Sequence, residues 1–185
     1  QKGYPTIVVL NSQGEEMDRL TGAYASAEEL VYWLTWVMPS ERRLKDYEQW
    51  KEKNASLHWH FDFDEAKQSA RLQKHPILAF FLGPDWSQAS RQIETILLES
   101  DEFKKLAAKN FCLLLSESLS DAYRPLQQLR QYRETARQFD LNPSSYPIIL
   151  LLDMNGKALA SKQGSVESVQ EFKQWLKNNG MAIKE

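Results

Sequence analysis

A shift of 142 positions lays one stretch of this chain on another. Tyr4-Pro5 falls on Tyr146-Pro147, Gly14 and Gly22 on Gly156 and Gly164, Ser26 on Ser168, Glu29 on Glu171, and Trp33-Leu34 on Trp175-Leu176. With Ile7 on Ile149 and Leu10 on Leu152, ten of the 31 positions from Tyr4 to Leu34 are identical without a gap. Such a match reads as two copies of one supersecondary unit. The unit is a proline-opened strand, a turn at Asn/Asp-x-x-Gly, a second strand, and an amphipathic helix with Trp and Leu inward. The competing explanation is chance similarity between two ordinary hairpin-plus-helix segments, and it must account for a register that holds through three elements.

The copies differ in what precedes them. Residues 57–185 read as one complete unit, and residues 1–38 as the C-terminal part of a first unit of the same kind. Residues 39–56 read as a charged helical linker, with Leu44, Tyr47 and Trp50 spaced by three as a stripe that packs on one of the units. The chain opens on Gln1 with no charged and apolar leader, so a processed or truncated start is expected. The incomplete first copy is expected to expose an unpaired sheet edge and an apolar face, and so to dock on another chain, on a second protomer or on a fragment of a first unit.

Composition narrows the function classes. A net charge of −2 argues against broad attraction to nucleic acid or an anionic membrane. No apolar run approaches the roughly 20 residues of a membrane helix. Cys112 is the one cysteine, which excludes a disulfide within this chain. Set among Phe111, Leu113 and Leu114, it reads as a buried structural thiol.

Within the complete unit the pattern runs βαβαβαββα. Leu57–Phe63 alternates polar and apolar residues, as a strand does. Asp64 is placed to cap a helix over Glu65–Lys74. Pro76–Leu82 and Asn110–Leu115 are continuous apolar runs of the kind buried on both faces of a sheet. A helix begins near Ser87, another covers Tyr123–Phe139, and the last runs from about Val166 to Asn178, stopped by Gly180. Right-handed crossovers make the first strands parallel, and the hairpin after Tyr146-Pro147 adds an antiparallel pair. The fold class is therefore α/β, a central mixed sheet flanked by helices.

Between the first apolar run and the next helix stands Asp85-Trp86-Ser87-Gln88-Ala89-Ser90. This tetrad entry, the element order and Pro147 at the head of the hairpin resemble the thioredoxin-like family over about 120 residues. Phe81-Leu82-Gly83-Pro84-Asp85-Trp86 is similar to the strand-loop entry of exported thioredoxin-like and disulfide-isomerase-like members, where Gly-Ser-Asp-Trp leads into Cys-x-x-Cys. The resemblance implies a thioredoxin-like fold, with Ser87 at the nucleophilic cysteine and Ser90 at the resolving one. It also implies that Pro147 is the cis-proline beside the substrate groove, with Trp86 and Tyr146 as substrate-binding neighbours. Tyr146 departs from the small or β-branched residues common there.

Thiol–disulfide exchange requires a thiolate. A serine hydroxyl neither ionises usefully at a helix N-terminus nor forms a mixed disulfide, so the chain as written is not competent for it. Three explanations remain open: natural loss of redox chemistry with a retained peptide groove, Cys-to-Ser substitution in an oxidoreductase or isomerase, and a serine that serves only as an N-cap. The leading function is a redox-inactive peptide-binding or chaperone-like module; a purely architectural role beside a first unit is the third. The partners implied are protein or peptide clients and a first unit or second protomer. No cofactor is implied, and the localisation implied is periplasmic or otherwise exported. His58, His60, Asp62 and Asp64 could share a strand face as a metal site needs, but a polar strand face that meets solvent or the interdomain segment is the better explanation, since His75 is the one further histidine, and no metal is expected.

Overall fold

The computed structural model describes residues 5–22 and 26–184; Tyr4, the first residue of the repeat match, lies outside them, as does the side chain of Glu29. The elements are β1 (Thr6–Leu10), β2 (Glu16–Thr21), α1 (Ala27–Val37), α2 (Glu41–Asn54), β3 (Trp59–His60), α3 (Phe63–Gln73) and β4 (Ile77–Leu82). There follow α4 (Gln88–Ile93), which runs into a π-helical turn at Glu94–Leu98, then α5 (Asp101–Asn110), β5 (Cys112–Glu117), α6 (Leu126–Gln138), β6 (Ile148–Leu152), β7 (Ala158–Gln163) and α7 (Val169–Asn178).

Five strands form one sheet in the order β3-β5-β4-β6-β7. Strands β3, β5 and β4 are parallel, and β6 and β7 are antiparallel additions. Every residue of β4 is 0 % exposed, because its side chains alternate between two apolar layers. Leu78, Phe80 and Leu82 join Ile93, Leu97, Phe103, Phe172 and Leu176 from α4, its π-turn, α5 and α7. Ile77, Ala79 and Phe81 join Phe63, Ala66 and Ala70 of α3 and Ala136 of α6.

Several boundaries differ from the sequence reading. The strand expected over Leu57–Phe63 pairs only at Trp59–His60, and α3 is capped by Asp62, not Asp64. Asp62 Oδ1 accepts the N–H groups of Asp64 and Glu65, so Phe63, the last inward residue of the apparent alternation, is the first residue of a helix. Helix α5 is an element beyond the βαβαβαββα pattern; it starts afresh at Ser100, whose Oγ accepts from Phe103 N–H. Strand β5 opens at Cys112, two residues late, α6 starts after Pro125 and α7 after its Ser168 cap.

The first hairpin repeats the second in its bonding. β1 pairs with β2 from Thr6↔Thr21 to Leu10↔Glu16, with an irregularity after Val9; β6 pairs with β7 from Ile148↔Gln163 to Leu152↔Ala158, with one after Leu151. Asn11 Oδ1 accepts from Gln13 and Glu15 N–H, and Asp153 Oδ1 from Asn155 and Lys157 N–H. Gly14 and Gly156 take positive φ at the same turn position, where a side chain would be strained. The environments part company elsewhere: β1-β2 is a separate two-stranded sheet. Within this chain α1 packs against α6, with Trp36 and Val37 buried and Trp36 packed with Leu129 and Tyr132 of α6. Asp18, which accepts from Trp33 Nε1 at 2.8 Å, also pairs with Arg130.

Helix α2 is fastened through a buried ion pair. Arg124 Nε lies 2.9 Å from Glu117 Oε2, with side chains 4 % and 1 % exposed, and its guanidinium sits 3.9 Å from the centroid of the Trp50 ring. Tyr132 donates its hydroxyl to the same carboxylate oxygen at 3.3 Å, and Gln128 donates to Tyr132 and accepts from Tyr47. Of the expected stripe, Tyr47 and Trp50 make these contacts while Leu44 stays 42 % exposed.

Arg124→Ala leaves the Glu117 carboxylate buried without its cation, and a loss of about 3–5 kcal/mol in urea unfolding is expected. Glu94 is pushed up to about 7, by burial first and by the Glu117 charge second. The folded protein therefore holds a proton that the unfolded chain, near 4.5, has released, so this group's contribution falls as pH rises between those values. Glu94→Gln is expected to flatten that decline and to raise stability at pH 8 by about 2 kcal/mol, read from unfolding midpoints across pH.

Candidate functional site

The central strand positions the site. Beyond Leu82 the chain turns through Gly83-Pro84-Asp85-Trp86 into α4, and the turn is closed by Ser87 N–H donating to Gly83 C=O at 2.7 Å. Ser87 is the N-cap of α4: its backbone is extended (φ −99°, ψ 116°) and its Oγ accepts from Ser90 N–H at 3.2 Å. Ser90 is fully buried, and its Oγ accepts from Gly83 N–H at 3.0 Å. Both hydroxyl oxygens thus serve the local backbone: Ser87 satisfies a donor that the start of the helix leaves free, and Ser90 the N–H of the residue that follows β4.

Asp85 holds the loop from the other side. Its Oδ2 accepts the backbone N–H groups of Ser120, Asp121 and Ala122 and the Ser120 hydroxyl, all within 3.2 Å. Burial works against its charge, but those four donors outweigh it and keep the carboxyl below the usual aspartate range. Sequence reasoning treated Asp85 only as part of a motif; its partners lie 35 to 37 residues away and carry no local signal.

Trp86 lies across Gly83. Its Nε1 donates to Ser118 C=O at 2.6 Å, and the ring remains 40 % exposed. A Cβ on Gly83 would fall 2.2 Å from Trp86 Cε2, so the indole requires glycine beneath it.

The Tyr146–Pro147 peptide bond is cis. Phe81 pairs with Ile148, which sets Pro147 beside the end of β4 where the Gly83–Ser87 turn departs. Pro147 C=O accepts from Gly164 N–H at 3.1 Å. Tyr146 is buried, its ring centroid 6.0 Å from that of Phe81, and burial pushes its phenol up to about 12 against the pull of the Ser116 hydroxyl. It lines a cleft of about 280 Å³ with Ser116, Ser118, Leu129 and Tyr132, roofed by Tyr32 and Trp36 of α1 and bordered by Arg133 and Arg137. Trp86 is tied to this cleft through Ser118; Ser87 and Ser90 do not line it.

Chemically the site offers hydrogen bonding and aromatic surface, with no thiol at either tetrad serine. Cys112 is buried on β5, its thiol donating to Ala66 C=O at 3.4 Å, and burial pushes its pKa up. His58 and His60 line a different cleft beside Cys112, while Asp62 is engaged as a helix cap. Among the described residues no group of three or more His, Cys, Asp or Glu comes together as a metal ion would need.

Comparison with known proteins gives concordant matches. The profile of a family described as thioredoxin-like matches residues 58–154. The disulfide bond reductase DsbH of Chlamydia pneumoniae is 26 % identical over 106 residues, covering 57 % of this chain and 62 % of that protein. The thioredoxin-related protein DsbJ of the same organism is 30 % identical over 97 residues, covering 52 % of this chain but only 27 % of its own length. Among solved structures, the DsbH oxidoreductase superposes with a TM-score of 0.59 at 23 % identity, over 66 % of this chain and 83 % of that one. A thioredoxin from Thermus thermophilus superposes at 0.50 with 17 % identity, over 66 % and 86 %.

The contact of Trp86 with Gly83 is open to a double-mutant test. Gly83→Ala is expected to cost about 1–3 kcal/mol in the native background, as an added methyl does in a packed site. On a Trp86→Ala background most of that cost should vanish, a coupling measurable by chemical denaturation of the four proteins.

Proposed function

Because the chain belongs to the thioredoxin-like family, we propose that it binds extended polypeptide at the face formed by Trp86, Tyr146 and Pro147 and does so without disulfide exchange. The observation that carries this reading is the use of Ser87 and Ser90: both oxygens accept backbone hydrogen bonds of the α4 turn, and neither has a thiol's chemistry. The half-exposed Trp86 ring supplies an apolar platform, and the cleft at Tyr146 receives side chains. An extended segment beside Pro147 would gain backbone hydrogen bonds as an added strand does. The clients are proteins or peptides, and the compartment is the bacterial envelope, in keeping with the resemblance to exported thioredoxin-like proteins. Among the described residues no helix is long and apolar enough to cross a membrane.

A second reading draws on the relatives. One is named a disulfide bond reductase and is 26 % identical over the matched region, so a redox enzyme with cysteines at 87 and 90 is the alternative parent. This chain spans less than two thirds of that relative's length.

Two measurements separate the readings. Reduced, carboxymethylated lactalbumin, an unfolded chain without free thiols, should bind the protein, and Trp86→Ala should weaken binding about tenfold, the loss of about 1.4 kcal/mol at an aromatic anchor. The protein should leave insulin reduction by dithiothreitol unaccelerated, whereas Ser87→Cys/Ser90→Cys should accelerate it. Absence of binding sinks the client reading. Alkylatable thiols at positions 87 and 90 in protein expressed from the unmodified gene establish the reductase alternative.

A further inference from the structure

The two hairpin–helix units bond alike within themselves and differ in what covers them. Strand β6 has β7 on one edge and β4 on the other, with Ile77↔Leu152, Ala79↔Leu150 and Phe81↔Ile148 in register. Strand β1 has β2 on one edge, and among the described residues no strand on the other. The faces follow suit. Leu10 is 55 % exposed where its counterpart Leu152 is 0 %, and Val8 is 37 % exposed where Leu150 is 6 %. On the helices Leu30 and Leu34 are half-buried where Phe172 and Leu176 are fully buried. The contrast is selective: Met17 and Leu159, on the outer strand of each hairpin, are 48 % and 52 % exposed. Val8 and Leu10 correspond to residues that join the α3 layer in the second unit, and Leu30 and Leu34 to residues that join the layer of α4 and α5.

We propose that the outer edge of β1 over Val8–Leu10, with the apolar face there, is the docking surface for the N-terminal half of a thioredoxin-like unit carried on the same polypeptide. That half is the counterpart of residues 57–117, and it would place a β4-type strand antiparallel to β1 with its Ile77 equivalent opposite Leu10. The register argues for this occupant, since the second hairpin receives the same cover from its own chain at high effective concentration. A second copy of this chain has no equivalent strand to lend, because its β4 is paired on both edges. An exposed apolar edge of this kind is otherwise a template for aggregation. The inference is independent of the client reading, as none of Val8, Leu10, Leu30 and Leu34 lines the cleft at Tyr146.

The test is hydrogen–deuterium exchange of the peptide spanning residues 5–11, read by mass spectrometry in the polypeptide from the unmodified gene and in the 185-residue chain. Exchange about tenfold or more slower in the gene product, at every protein concentration, is the expected result, since a paired edge opens only with its sheet. Leu10→Glu should abolish that difference, while Met17→Glu should preserve it. Equal and fast exchange in both proteins overturns the proposal. So does protection that appears in the 185-residue chain and grows with concentration, which would assign the edge to a second copy. A difference that survives Leu10→Glu overturns it as well.

Discussion

A central strand buried on both faces and paired on both edges organises this molecule. Strand β4 runs parallel to β5 and antiparallel to β6, and each of its six residues is inaccessible. Backbone groups so deeply placed have to be paired, which fixes both neighbours; side chains that alternate between two layers require helices on both sides. The same strand sets the site. Its C-terminal end delivers the Gly83–Ser87 turn, and its register with β6 brings Pro147 to that turn.

Polar contacts then orient what the sheet has placed. Asp85 gathers three backbone N–H groups from the loop after β5, and Trp86 donates to Ser118 in the same loop. On the far side of this loop Arg124 pairs with Glu117 and lies under Trp50, so the connecting helix and the site loop share one set of buried charges. A pair so thoroughly desolvated contributes little net stability, but breaking it leaves a charge stranded. Position, more than strength, is what the pair supplies.

The tetrad serines both act as hydrogen-bond acceptors where the turn enters α4. A hydroxyl caps the helix as well as any small polar side chain, and Ser87 and Ser90 both accept backbone N–H groups. It does not supply a thiolate, so this turn offers hydrogen bonds and aromatic surface and no thiol chemistry.

The sequence by itself determined the fold class and the place of the turn between β4 and α4. The unbroken apolar runs at Pro76–Leu82 and Asn110–Leu115, the period of the helices and Pro147 ahead of the last hairpin were enough for a mixed sheet between helices and for the Trp86–Ser90 turn. The match at a shift of 142 positions located the two hairpins with the same bonds. Short-range signals that compete locally misled it: Phe63 continued a strand alternation yet begins a helix, and α5 was hidden behind the π-turn that precedes it. Tertiary structure alone decided that Asp85 reaches Ala122, that Arg124 meets Glu117 beneath Trp50, that Tyr146 turns into a cleft, and that Leu10 is bare where Leu152 is covered. Those facts depend on which residues distant in the chain become neighbours, and periodicity along the chain reports only which way each side chain faces.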